Sequence, residues 1–147
     1  MPELILTIGV PGSGKSTWAR GEADWNNRVL FDTPTIIVER DEIRRELTGD
    51  HQDFTREAAV TRIAEDRVRI ALARGGTVIV ADTNLRAKYR RRWAKMAEQY
   101  GAKYREVVFD TPLDVCLARD AARDKPVGEE VIRRMHEQFV QTLGQTA

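Results

Sequence analysis

The tightest constraint on this chain lies near its start. The apolar run Leu4-Ile5-Leu6-Thr7-Ile8 passes directly into Gly9-Val10-Pro11-Gly12-Ser13-Gly14-Lys15-Ser16-Thr17. Gly9, Gly14, Lys15 and Ser16 fit the spacing at which a loop between a strand and a helix turns backbone N–H groups into one anion-binding concavity. The dipole of the following helix adds about half a positive charge at the same place. Gly12 and Gly14 allow a close backbone approach that a Cβ would obstruct. Lys15 is placed to reach the outer phosphates of a nucleotide, and the Ser16 hydroxyl to ligate Mg²⁺. Gly12, Ser13, Gly14, Lys15, Ser16 and Thr17 are therefore the candidate residues for holding the phosphates of a nucleotide.

The rest of the chain continues an α/β pattern. Apolar runs at Leu4–Gly9, Thr35–Glu39, Thr77–Ala81 and Tyr104–Phe109 read as strands buried on both faces. Longer amphipathic segments alternate with them, which predicts a three-layer fold with a parallel sheet of four or five strands, helices on both faces and a helical lid. Val60, Ile63, Ala64, Val68, Ala71 and Leu72 recur at helical spacing, and Gly75–Gly76 ends that helix. Further helices are expected over 86–100 and 113–123. A last one is marked by Val131, Met135, Phe139 and Leu143. Between 21 and 34 the pattern is weakest, with Trp25 and Phe31 marking a stretch that packs.

At 147 residues, with no linker, repeat or low-complexity tract, one domain covering 1–147 is expected. The apolar runs are far shorter than the roughly 20 residues of a membrane span. One cysteine, Cys116, allows no internal disulfide and reads as core. These features give the expectation of a cytoplasmic protein with no membrane partner. A net charge of +1 argues against coating long nucleic acids and leaves room for gripping a strand end.

The segment after the third apolar run reads Ala81-Asp82-Thr83, without the paired acids common in motor ATPases, and no Asn-Lys-x-Asp guanine signature occurs. A phosphotransferase fits better. It needs a base, and Glu39-Arg40-Asp41-Glu42-Ile43-Arg44 supplies a candidate at the carboxyl edge of the sheet. Asp41 and Arg44 share a helix face. The carboxylate is placed to accept a hydroxyl proton, and the guanidinium to hold an acceptor phosphate bidentately. Arg119 and Arg123, one turn apart before Asp124-Lys125-Pro126-Val127-Gly128, are candidate arginines of a lid spanning about 119–130, brought to the moving phosphoryl group by closure.

Together these motifs resemble the phage-type 5′-hydroxyl polynucleotide kinases, in particular the kinase domain of T-even phage kinase-phosphatases. The resemblance covers most of the chain. It is carried by the phosphate loop continuing into Trp18-Ala19-Arg20, by Arg40–Arg44, by Asp82-Thr83-Asn84-Leu85, and by the segment from Tyr100 to Pro112. It implies transfer of the γ-phosphate of ATP, with Mg²⁺, to the 5′-OH end of DNA or RNA, in nucleic-acid end repair. Lys15, Asp41 and Arg123 would then be catalytic, with Asp41 the general base. Arg44 would contact the phosphate 3′ to the terminal nucleoside, and Asp82 would sit beside the acceptor and orient Arg44. The segment before Thr35 is longer than the family's, and the lid is about one residue shorter. No Asp-x-Asp-Gly sequence is present, so no phosphatase domain or 3′-phosphatase activity is expected.

Two other classes share parts of this pattern: a small-molecule kinase acting on a nucleoside, sugar or antibiotic hydroxyl, and a nucleotide-dependent binding module. Arg86 to Trp93 carries five basic residues with Tyr89 and Trp93 between them. That segment reads either as a solvated basic helix or as a nucleic-acid track. His51 and His136 fit no metal-ligand spacing.

Overall fold

The computed structural model describes residues 1–29 and 33–146. A sheet of four parallel strands forms its centre, in the order β2-β3-β1-β4, with β1 Glu3–Ile8, β2 Thr35–Val38, β3 Thr77–Val80 and β4 Lys103–Val108. The helices are α1 Lys15–Val29, α2 Arg40–Thr48, α3 Glu57–Ala73, α4 Ala87–Gln99, α5 Leu113–Ala121 and α6 Glu129–Thr146.

Successive strand residues point to opposite faces, and the core divides accordingly. Leu4, Leu6, Val38, Val78 and Val80 meet α2, α3 and α4 through Ile43, Val60, Val68 and Met96. Ile5 and Ile79, with Ile37 and Val107, meet Ala19 and Trp18 of α1 on the other side. A third cluster gathers Ile8, Val10 and Leu85 with Cys116 of α5 and Ile132 and Phe139 of α6. In α6 the innermost residue is Ile132, one position from the expected Val131.

Two expectations change. β4 is an edge strand: Lys103, Arg105, Glu106 and Val108 are exposed, so it is not buried on both faces. The weakly patterned stretch after residue 21 is the second half of α1. Trp25 is 65% exposed and does not pack, while Phe31 lies outside the described residues. The helix survives Gly21 because Ala19 and Ala23 keep its inner face and its end is tied to β2. Asn27 accepts from the Thr35 N–H at 2.7 Å and donates to the Thr35 carbonyl at 3.1 Å, supplying a neighbour to an edge strand.

After β1 the chain crosses to one side of the sheet, and after β3 to the other. The crevice outside the carboxyl ends of β1 and β3 is thus where an open α/β sheet binds ligands.

Candidate active site

The phosphate loop fills that crevice, and α1 begins at Lys15 as the motif requires. Gly12 (φ 82°) and Gly14 (φ 100°) both occupy the left-handed region. A Cβ on Gly12 would lie 2.8 Å from the Cys116 carbonyl oxygen, so α5 is pressed directly onto the loop. Two further bonds clamp them together: Arg119 Nη1 donates to Gly12 O at 3.0 Å, and Thr111 Oγ1 to Ser13 O at 2.8 Å. Cys116 is core, as its sequence context suggests, and burial pushes its thiol pKa up.

Lys15 folds back over this loop, its Nζ donating to Val10 O at 2.7 Å. Burial draws its pKa down from 10.5 to about 8, against the raising effect of Asp82, while Arg123 adds to the fall. A cleft of about 710 Å³ runs along Gly12 to Trp18 and is closed by Arg20, Thr111, Arg119 and Arg123. All the expected donor-side residues, Thr17 included, line it. The two lid arginines differ. Arg119 is engaged with the loop, whereas the Arg123 side chain makes no hydrogen bond or ion pair among the described residues and only its backbone N–H is held, by Asp120 O at 3.0 Å.

Asp41 and Asp82, whose charges act on Lys15, belong to a network of side chains around the start of α2. Asp41, in the first turn of α2, is exposed and accepts from Arg44 Nη1 at 2.6 Å. Arg44 is only 4% exposed, and a charge so buried must be paired. Its Nε and Nη2 fork onto Glu57 at 2.6 and 2.9 Å, Nη1 also reaches His51 O at 2.9 Å, and its guanidinium lies 4.5 Å from the Phe54 ring centroid. The fork therefore faces Glu57 rather than the open cleft, which corrects the expected bidentate hold on an acceptor phosphate. One of its five N–H groups is left over for a ligand.

Glu57 also takes Arg40 Nη2 at 2.9 Å. The hydrogen bond from Arg44 is the main reason its pKa falls from 4.5 to about 2. Glu57 was not singled out in the sequence. Its role follows from contacts made 13 and 17 residues away, for which one-dimensional spacing gives no signal.

Asp82 sits in the crevice, half-buried, its pKa pushed up from 3.8 to about 6 chiefly by desolvation. Its Oδ1 accepts from the Arg40 backbone N–H at 2.9 Å, so it fixes the start of α2. Its hydrogen bond goes there and not to Arg44, whose orientation comes from Glu57. Asn84 holds this turn in a left-handed conformation (φ 47°) by donating to Thr7 O at 2.8 Å. Glu39, at the N-cap of α2, faces the Ser16 hydroxyl; burial raises its pKa, and the bond with Ser16 opposes the rise.

Among the described residues no group of three or more His, Cys, Asp or Glu side chains forms a metal cage. Magnesium held largely by phosphates and water needs none. The Ser16 hydroxyl, with Glu39 against it and Asp82 in the same crevice, is a donor set that fits such an ion.

The segment expected as the lid, about 119–130, comprises the end of α5, the loop 122–128 and the start of α6. Asp120, 2% exposed, accepts from the backbone N–H groups of Val127 and Gly128, both at 2.9 Å, and fixes the loop's exit. The tip reaches the acceptor side: Lys125 Nζ bonds Asp50 at 2.5 Å, and Gln52 donates to the carbonyls of Lys125 and Pro126.

A phosphate loop after β1, a carboxylate-bearing α2 and an arginine-bearing lid before α6 define a P-loop kinase fold. The sequence pattern of the family described as "AAA domain" matches residues 4–142, and the chain belongs to that family. A structure of the Pnkp1/Rnl/Hen1 RNA repair complex contains a chain that superposes with a TM-score of 0.82 at 26% identity, over 98% of this chain and 46% of that one. A protein of Autographa californica nuclear polyhedrosis virus, "Putative bifunctional polynucleotide kinase/RNA ligase", is 27% identical over 94% of this chain and 21% of its own length. The adenylyl-sulfate kinase of Myxococcus xanthus is 32% identical over 80% of this chain and 62% of its length. The chain thus spans less than two thirds of these relatives, and is similar to both polynucleotide and small-molecule kinases. No described helix is long and apolar enough to cross a membrane.

Proposed function

We propose that this chain is a polynucleotide 5′-hydroxyl kinase, transferring the γ-phosphate of ATP to the 5′-OH end of DNA or RNA. The observation that carries this reading is the chain Asp41–Arg44–Glu57, in which the exposed Asp41 carboxylate is close enough to Lys15 to act on its charge. An exposed carboxylate, ion-paired at 2.6 Å to a buried arginine, is presented to an acceptor, and that arginine keeps one N–H for a neighbouring phosphate. The similarity of nearly the whole chain to polynucleotide kinase domains supports it.

In this mechanism the loop N–H groups and Lys15 hold the β- and γ-phosphates of ATP. Bound Mg²⁺, ligated by Ser16, would neutralise phosphate charge. Asp41 accepts the proton of the 5′-hydroxyl as its oxygen attacks the γ-phosphorus, the bond from that phosphorus to the β–γ bridging oxygen breaks and ADP leaves, and Arg44 fixes the carboxylate's direction. Arg123, whose side chain has no hydrogen-bond or ion-pair partner among the described residues, moves onto the transferring phosphoryl group, while Arg119 stays with the loop. The lid excludes water from the cleft.

The similarity to adenylyl-sulfate kinase favours a second reading, transfer to a small-molecule hydroxyl. Labelling with γ-labelled ATP separates the two. The proposal expects label on a 5′-OH oligonucleotide and none on the same strand already 5′-phosphorylated. Equal failure of both strands, with ATP still bound, would overturn it.

A further inference from the structure

A second cavity, of about 510 Å³, shares Glu57 and Asp82 with the acceptor network and extends from them to side chains that the phosphoryl transfer just described does not use. Arg40, Glu57 and Asp82 contribute to its wall, and so do Arg86, Tyr89 and Trp93 at the start of α4. Its volume is in the range of pockets that hold small organic ligands.

The electrostatics of the wall are uneven. Arg40 is neutralised by Glu57, and Arg92 by Glu65 at 2.7 Å. Arg86 has no side-chain hydrogen bond or ion pair among the described residues, and it is exposed. The aromatic residues are complementary in another way. Trp93 is half-buried and packs on the core cluster of α2, α3 and α4, so its ring is fixed. Tyr89, one turn earlier on the same helix face, is 45% exposed, and the Lys88 ammonium lies 5.3 Å from its ring centroid, a second cation that a strand phosphate would meet there. The ground under both is rigid: buried Arg90 donates to Asn84 O at 2.9 Å and to Leu85 O at 2.7 Å, pinning the first turn of α4 to the loop that carries Asp82.

An exposed ring held beside a fixed one, with one unneutralised guanidinium at the entrance turn, is what an unpaired base and its phosphate require. A sugar or another small neutral acceptor offers nothing to Arg86. Resting on the polynucleotide reading above, we infer that this cavity binds the nucleotide that follows the accepting one in a single strand. The base stacks on Tyr89, with Trp93 as the fixed support, and Arg86 takes the phosphate. The basic segment from Arg86 to Trp93 then serves both of its sequence readings: Trp93 belongs partly to the core, and Arg86 and Tyr89 belong to the strand.

The test compares a 5′-OH trinucleotide with a nucleoside 3′-monophosphate as acceptors, in ribo and deoxy forms to separate RNA from DNA. Tyr89→Ala is expected to raise KM for the trinucleotide about tenfold, the effect of losing one stacked base. KM for the monophosphate should stay unchanged, and Tyr89→Phe should restore the trinucleotide. Arg86→Ala should lower the salt dependence of trinucleotide binding by a log–log slope of about 0.7. Equal losses on both acceptors, or no loss on either, would overturn the inference. Anisotropy of a 3′-fluorescein trinucleotide reads the cavity without transfer. A wild type that binds this probe through Tyr89 but labels no strand would contradict the kinase proposal and leave the binding site standing. A probe bound equally by wild type and Tyr89→Ala would contradict the site itself.

Discussion

On the donor side of the cleft, the chain from Gly9 to Thr17 is consecutive in sequence, and α5 holds it from behind through Gly12, Ser13 and Cys116. Across the crevice, Asp41 and Arg44 come from α2, Glu57 from α3, Asp82 from the end of β3, and the covering Lys125 from the lid. On the proposed reading the donor side would bind mainly through backbone groups whose direction is set by the loop, with Lys15 and Arg123 beside them. The acceptor side binds with charged side chains that orient one another, so a single substitution there redirects several partners. That asymmetry suits a fold in which one donor is shared and acceptors differ.

The comparison is broken most severely at Asp41. Asp41→Asn should lower turnover by about 10²–10⁴-fold, the usual contribution of a general base, with ATP affinity unchanged. Transfer and nucleotide binding measured on the same protein check this; a fall in both together would erase the distinction between the two sides.

Next in size is Gly12→Ala. The substituted residue would hold a left-handed φ, costing about 1–3 kcal/mol, and its Cβ would meet the Cys116 carbonyl at 2.8 Å. A lowered Tm and weakened ATP binding are expected, since the loop cannot move without α5. An unchanged melting curve would show that the clamp is not rigid.

Glu57→Gln acts on the acceptor side alone. It should raise KM for the strand with little change in ATP affinity. Its pH signature is separate: the pKa of Glu57 falls from 4.5 to about 2 on folding, so its stabilisation is present above about 4.5 and disappears as pH drops towards 2. Acid unfolding of the variant should be less steep across that window, and an unaltered acid limb would remove Glu57 from the network's energetics.

The smallest effect belongs to Lys125→Ala. The bond to Asp50 joins two exposed groups, and such pairs add little to stability. Tm should hardly move, while the rate of product release should rise if lid opening limits turnover.

Much of this was legible in the sequence because the signals are local. The phosphate loop, the strand starts, and Asp41 with Arg44 three residues on are patterns within one element. Glu57, Asp120 and the Lys125–Asp50 contact were not, since each acquires its meaning from a partner in another part of the fold or from a backbone N–H that no residue type reveals. Trp25 misled for the opposite reason: a large aromatic suggests burial, yet α1 presents it to solvent because its inner face is made of the small residues Ala19 and Ala23. β4 looked like a central strand because it ends in Val107-Val108-Phe109, although it has a neighbour on one side only.

The most direct measurement is γ-phosphate transfer to a nucleoside 3′-monophosphate beside the plain nucleoside, at equal concentrations. An acceptor side built around a buried arginine next to the base predicts label on the 3′-monophosphate and scarcely any on the nucleoside. Equal labelling of the two would show that no phosphate is read beside the hydroxyl, and would contradict the assignment of this cleft to nucleic-acid ends.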